Sequence, residues 1–444
     1  MNNHKYLSAA VLLIFGVVGS IMVFIFLRSG NDDFVDLTNF KPKKVNVAEK
    51  FTGSLYKGNY VYGAAMNLAW NDLKDNIIHE PIKLNTTDLA ALKTTDLFNS
   101  EFFTKDDLDE ASYYIKSGYG QGTVDQINRE SRAKFPDKSF ADLDIQLAPK
   151  DIIAYAYFLK KVEYLQPFSE DELIFQPQDH DCRLSECPRV KSFESNTDEQ
   201  RGNVQILKYW DDDKFILSLK LKDNDWLIVA KGFPTTNPDA VTTELADLSK
   251  RNGSVNLIQP MGSEDVFRMP KLHLDAHRGY SEMAGKALAN EQFKDYSISQ
   301  MFENIKFDID QKGARVENEA AIGMGITSVA ISHQPKPKYL ILDKPFWVIM
   351  ERKNSQHPYF MLGVNNAELM EKLDTASLQL RDGINAEKAA CVKAGGTWKL
   401  FQDACGGTCN FVRNRAETAC EMAPTYSCEC GSGKCWNGSF CESN

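Results

Sequence analysis

Few side chains of this 444-residue chain sit in a pattern that suggests chemistry. The segment HLDAH places His273, Asp275 and His277 two residues apart. On a strand these three share one face and would offer two imidazoles and a carboxylate to a metal ion. A solvated strand face gives the same alternation, because Leu272, Leu274 and Ala276 claim the other side. The second reading is adopted, and no metal is assigned. His180, Asp181 and Cys182 adjoin and raise a metal or thiol site; a small loop closed by a Cys182–Cys187 bridge accounts for them more simply. The chain has no Gly-rich phosphate loop, no His-Glu-x-x-His and no Gly-x-Ser-x-Gly. Neither an enzyme nor a cofactor is expected.

The cysteines are the densest chemical feature. Cys391, Cys405, Cys409, Cys420, Cys428, Cys430, Cys435 and Cys441 crowd the C-terminal end. An even set in so short a stretch reads as a disulfide framework made in an oxidising compartment. Zinc is the competing reading. The stretch lacks a Cys-x2-Cys pair and contains no His, so the usual zinc spacing is missing. Disulfides are expected, with the pairing left open. Trp398 and Trp436 would cap the small core of this module.

The balance of 51 basic against 61 acidic side chains argues against a nucleic-acid partner. From Tyr6 to Leu27 the chain carries no charge, with Lys5 before the run and Arg28 after it. Such a run is long enough to cross a bilayer as a helix. A cleaved signal peptide is the alternative, with Gly19-Ser20 as its processing site. The apolar run continues past that point to Phe26, which favours an uncleaved anchor over 6–28. The expected order is a cytoplasmic tip (1–5), the anchor (6–28) and a polar linker (29–52). An α+β body (53–375), a second linker (376–390) and the cysteine-rich module (391–444) follow. The bulk of the chain is expected outside the cytoplasm, and secreted if the N-terminal segment is cleaved.

Within the body, helical patterns come early (60–77 and 123–135) and strand patterns later (151–165, 214–221, 225–233, 271–277 and 338–364). Ile305, Phe307 and Ile309 alternate with Lys306, Asp308 and Asp310, as on a strand with one buried face. After Gly313 the chain turns rich in Ala, Gly and Ser but keeps a period of two. Ala314, Val316, Asn318, Ala320, Ile322 and Met324 fall on one side. Such a segment is compatible with both a loop and a strand.

Several stretches, taken in order, resemble the serpin family. KPFWVIMERKNSQHPYFMLGV (344–364) resembles its closing strand hairpin, and RMPKLHLDAHRGYSEMAGKAL (268–288) its Pro-Lys strand. INRESRAKFPDKSFADLDIQLAPKDIIAYAYF (127–158) is similar to its helix, loop and central strand. YVYGAAMNLAWNDL (60–73) sits where the family has its first buried helix. IKFDIDQKGA (305–314) resembles the strand that runs into the hinge glycine of the reactive loop. The resemblance implies an α+β serpin-like body with a large mixed sheet. It also implies suicide inhibition of a serine protease through a loop at about 313–340 that enters the sheet after cleavage. Gly313, Ala314, Val316, Ala320 and Ala321 would form the hinge. The scissile bond would fall near Thr327-Ser328, or between Ile331-Ser332 and His333. No candidate has Arg or Lys before the bond, so an elastase- or subtilisin-like target is expected rather than a trypsin-like one. The chain departs from the family in three places. Gly63-Ala64-Ala65-Met66 replaces Ser-Pro-x-Ser, Ala154-Tyr155 stands where an Asn is usual, and Glu303-Asn304 replaces a His. A non-inhibitory binding or adhesion protein of the same fold is the alternative.

Overall fold

The computed structural model describes residues 21–29, 45–51, 58–100, 102–138, 140–178, 182, 187–251, 259–315, 336–353, 355, 357–373, 388, 390–401, 405–413 and 425–443. The chain divides into two compact units, Met1–Lys372 and Leu373–Asn444. Strands and helices are numbered along the chain.

The first sheet runs β4 (Tyr113–Tyr119), β5 (Ile152–Phe158), β1 (Ile21–Ser29), β16 (Tyr296–Ile309), β17 (Gly313–Arg315), β6 (Val162–Glu163). On its other edge β16 pairs with β14 (Leu272–Gly279) and β15 (Lys286–Ala287). The second sheet runs β12 (Gln259–Pro260), β9 (Val204–Asp211), β10 (Lys214–Leu219), β11 (Asp225–Lys231), β19 (Phe346–Arg352), β20 (Phe360–Val364), β3 (Asn59–Gly63), β2 (Val45–Ala48). A third, smaller sheet holds β18 (Tyr339–Ile341), β13 (Val266–Pro270), β8 (Arg189–Glu194) and β7 (Ser169–Ile174). The helices of this unit are α1 (Ala65–Leu73), α2 (Leu89–Asn99), α3 (Gly120–Lys134), α4 (Asp198–Gly202) and α5 (Asp239–Arg251). The expected fold class, α+β with a large mixed sheet, is what the chain adopts.

Local sequence explains the parts that matter here. The alternation around 305 becomes β16, where Ile305, Phe307 and Ile309 are buried and Lys306 and Asp308 are half-exposed. β5 (IIAYAYF) is buried along its whole length. Ile152, Ala154, Ala156 and Phe158 join the main core. Ile153, Tyr155 and Tyr157 pack under Val124 and Ile127 of α3. A strand covered on both faces has no need of polar alternation.

Two expectations change. Residues 60–77 were expected to be helical throughout, but Tyr60–Gly63 belong to β3. Tyr60, Val61 and Tyr62 are fully buried β-formers, paired with β20 on one side and β2 on the other. The membrane helix expected over 6–28 is not formed by its described part: Ile21–Ser29 is strand β1. No helix among the described residues is long and apolar enough to cross a membrane. An uncharged run rich in Ile, Val and Phe suits a strand enclosed on both sides as well as it suits a bilayer, and periodicity alone does not separate the two. Residues 1–20 lie outside the described residues. The segment read as a linker over 29–52 includes β2, with Val47 and Ala48 buried.

The second unit pairs β21 (Thr397–Phe401) with β22 (Thr425–Glu429) and β23 (Lys434–Trp436) with β24 (Cys441–Ser443). It also contains α6 (Cys409–Arg413).

Candidate functional site: the hinge and the slot beside it

β16 ends in a tight turn at Asp310. The Asp310 carboxylate accepts hydrogen bonds from the amides of Lys312 (2.7 Å) and Gly313 (3.3 Å). The Asp310 amide donates to the Gly313 carbonyl at 3.0 Å. An aspartate that binds backbone two and three residues ahead fixes the turn. The strand segment opposite holds the turn in place. The amide of Tyr164 donates to the Lys312 carbonyl (3.1 Å) and that of Phe168 to the Gln311 carbonyl (2.8 Å).

From this turn Gly313 and Ala314 enter the sheet. Ala314 stands opposite Ile309 on one side and Val162 on the other, with its side chain buried. Gly313 has a spatial requirement. A Cβ at this position would lie 2.1 Å from the Val162 carbonyl oxygen and 2.9 Å from the Glu163 Cα. The two backbones can approach this closely only at glycine. The candidate hinge residues Gly313 and Ala314 thus lie together between β6 and β16. Val316, Ala320 and Ala321, and the candidate scissile residues Thr327, Ser328, Ile331, Ser332 and His333, lie outside the described residues.

Beyond β17 the same gap in the sheet is occupied. β1 lies between β5 and β16, antiparallel to both, with Ile25 opposite Ala154 and Met301. Ile25 is fully buried in the main core.

Beneath this gap is a polar cluster that sequence reasoning missed. Glu303 of β16 is fully buried, and its Oε2 accepts a hydrogen bond from the Tyr280 hydroxyl at 3.2 Å. Its Oε1 has no partner among the described residues. Burial pushes the Glu303 carboxyl up to about 8. Tyr280, Arg278 and the Met66 amide at the start of α1 partly offset that push. Arg278 lies over the Tyr280 ring and donates to Glu49 (2.6 Å), Glu282 (3.2 Å) and the Val47 carbonyl (2.6 Å). The sequence held a signal in two departures read separately. Ala64 caps α1 without a side-chain oxygen, and Glu303, of the Glu303-Asn304 pair that stands where the resemblance implies a His, brings a carboxyl to that helix end.

The HLDAH triad does not converge. On β14, His273, Asp275 and His277 each turn to their own cross-strand neighbour: Asp308, Lys306 and Asn304. Both imidazoles and the carboxylate are engaged in pairs across the sheet, which leaves no shared centre. His180 and Asp181 lie outside the described residues; Cys182 is bonded to Cys187.

The cysteine-rich unit is a disulfide framework, with Cys391–Cys428, Cys409–Cys435 and Cys430–Cys441. Cys405 is disulfide-bonded as well, and Cys420 lies outside the described residues. These sulfurs are therefore not thiolates able to hold zinc. Cys391, Cys428 and Trp436 form the unit's buried centre, as the sequence reading placed Trp436; Trp398 packs against it. Replacing Cys391 and Cys428 together by Ala is expected to destabilise this unit by about 3–4 kcal/mol. Limited proteolysis would then cut within 391–444 while the body stays intact; equal resistance in both chains would refute the expectation.

No protein-family model matches the sequence, and no curated protein matches it. Among solved structures the chain is similar to serpins. The mouse protein-Z dependent protease inhibitor is 13% identical, with 70% of this chain and 91% of that chain covered and a TM-score of 0.42. A highly specific serpin of the insect Tenebrio molitor is 13% identical, with 70% and 92% covered and a TM-score of 0.36. A serpin of Manduca sexta is 12% identical, with 71% and 95% covered and a TM-score of 0.38. Scores this low carry no argument about activity. The chain's own elements stand where the sequence resemblance put them: β5 as central strand, β16 running into the hinge glycine, β19 and β20 as closing hairpin. The body thus keeps the order of elements that the serpin resemblance implies, and a second, disulfide-rich unit follows it.

Proposed function

We propose that the chain inhibits serine proteases as a suicide substrate, through a loop at about 313–340. The observation that carries this reading is β17. Gly313 to Arg315 already pair with β16 and β6, so the chain leaves the hinge aimed along the gap between β5 and β16. In the proposed reaction the protease serine Oγ attacks the scissile carbonyl. The amine of the following residue leaves with a proton, and an ester joins protease and loop. Strand formation by the cut loop then carries the protease away before water resolves that ester. The candidate bonds near Thr327-Ser328 and Ile331 to His333 support an elastase- or subtilisin-like target. The uncharged run before Arg28 supports membrane anchorage with the body outside the cytoplasm.

A non-inhibitory binding or adhesion role is the second reading. It is favoured by β1, which completes the sheet without the loop. Incubation of the full chain in phosphatidylcholine vesicles with an elastase-like and a subtilisin-like protease separates the two. Masses measured under denaturing conditions should include a covalent adduct, and the C-terminal fragment locates the scissile bond. Clean cleavage with fully active protease would overturn the inhibitory reading.

A further inference from the structure

β17 and β1 lie in one gap and in one register. On β16, Ala314 faces Ile309 and Arg315 faces Asp308; lower down, Met22 faces Asn304 and Ile25 faces Met301. On the opposite flank, Gly313 faces Glu163 and Ala314 faces Val162, while Met22 faces Tyr157 and Ile25 faces Ala154. β17 and β1 therefore lie end to end and run in the same direction. Three positions, opposite Ile305, Lys306 and Phe307, separate them along β16. Counting on from Arg315 in either ladder brings Glu319 level with Met22 and Ile322 level with Ile25. The two flanks agree without a bulge as far as Phe26. The inward side matches as well, since Ala314 and Ile25 are both buried and Ile322 shares the parity of Ala314. The gap between adjacent strands, at about 4.8 Å per spacing, admits one occupant.

We propose that residues 21–29 plug the position that the loop must take, and that a membrane removes the plug. This rests on the loop-insertion reading above. Ile21 to Leu27 are the last residues of the uncharged run that begins at Tyr6. A bilayer-spanning helix needs about 20 residues, so it uses essentially the whole run. The same residues cannot be both in that helix and in β1. A bilayer therefore draws the equilibrium towards an open gap, and the chain in water keeps the gap closed. Activity is thereby confined to the membrane-bound form.

The test uses the full chain with Ile25→Cys and Ala154→Cys. These residues are direct partners in an antiparallel pair, where the Cα separation suits a disulfide. Oxidation in lipid-free buffer should join them. In phosphatidylcholine vesicles the yield should fall by about tenfold, the size expected from a differential affinity of ~1.4 kcal/mol. No cross-link in buffer, or equal yields in both media, would overturn the proposal. A second measurement nicks the loop with subtilisin in buffer. The unmodified chain should keep its unfolding temperature, whereas an Ile25→Lys chain should gain about 5 °C or more as the freed loop takes the gap. Equal gains in both chains would mean that β1 blocks nothing. A cross-link in buffer with no gain in either chain would instead sink loop insertion itself, and the proposal with it.

Discussion

A chain carrying Gly313→Val is expected to be cut by the target protease and to leave it active. The reason is local. Any Cβ at 313 meets the Val162 carbonyl oxygen at 2.1 Å, and the obstructing atoms are backbone, with no rotamer able to move aside. Overpacking of this kind costs about 1–3 kcal/mol or more. That cost falls on the paired hinge, which the cut loop must pass through to become a strand. Each ~1.4 kcal/mol shifts the competition between strand formation and ester hydrolysis by about tenfold. The yield of covalent adduct should therefore drop by roughly ten- to a hundredfold while the cleavage rate of the loop holds. Gly122→Val is the control. Gly122 lies on an exposed face of α3 with nothing near its would-be Cβ, and its adduct yield should match the unmodified chain. An undiminished adduct from Gly313→Val would show that β17 is not on the path of inhibition.

Glu303→Gln should abolish the pH dependence of stability that Glu303 imposes. The folded carboxyl is raised from 4.5 to about 8 by burial. Between those values the folded chain holds a proton that the unfolded chain has released. The native state therefore loses stability as pH rises through this window, and the loss is complete above about 8. It amounts to at most on the order of 5 kcal/mol at 1.36 kcal/mol per unit. Gln keeps the shape and cannot ionise. Urea unfolding at pH 5 and pH 9 should give similar midpoints for the two chains at the lower pH. At the higher pH the variant should be the more stable. A difference that stays constant across the range would mean that Glu303 does not carry the effect.

The sequence made most of the sheet legible. The alternation at Ile305, Phe307 and Ile309 gave β16 its buried face, and the uninterrupted β-formers of 152–158 announced a strand covered on both sides. Gly313 stood out because the chain changes character there, and the structure adds the reason in the carbonyl of Val162. Other features depend on contacts that no single sequence reveals. Glu303, Tyr280 and Met66 are far apart along the chain, and each departure from the family looked like a loss when read alone. β1 was not foreseen for a different reason. A bilayer and a two-sided sheet interior select the same residues, so hydropathy reports burial without naming the solvent. The HLDAH motif was legible as a strand, and its polar face was settled by Asp308, Lys306 and Asn304 across the ladder.

The closing hairpin has a consequence for the severed molecule. The chain that follows the proposed reactive loop re-enters the body at once, from β18 to β20. β18 pairs with β13, β19 is wedged between β11 and β20, and β20 continues to β3. Phe346, Trp347, Val348, Ile349 and Met350 are buried there. Burying one such side chain contributes about 1.5–3 kcal/mol, so this row alone makes escape of the fragment negligible under native conditions. A single cut would turn the protein into a non-covalent heterodimer of its own two pieces. The cysteine-rich unit would remain on board, still joined by its peptide link to strands that have not moved.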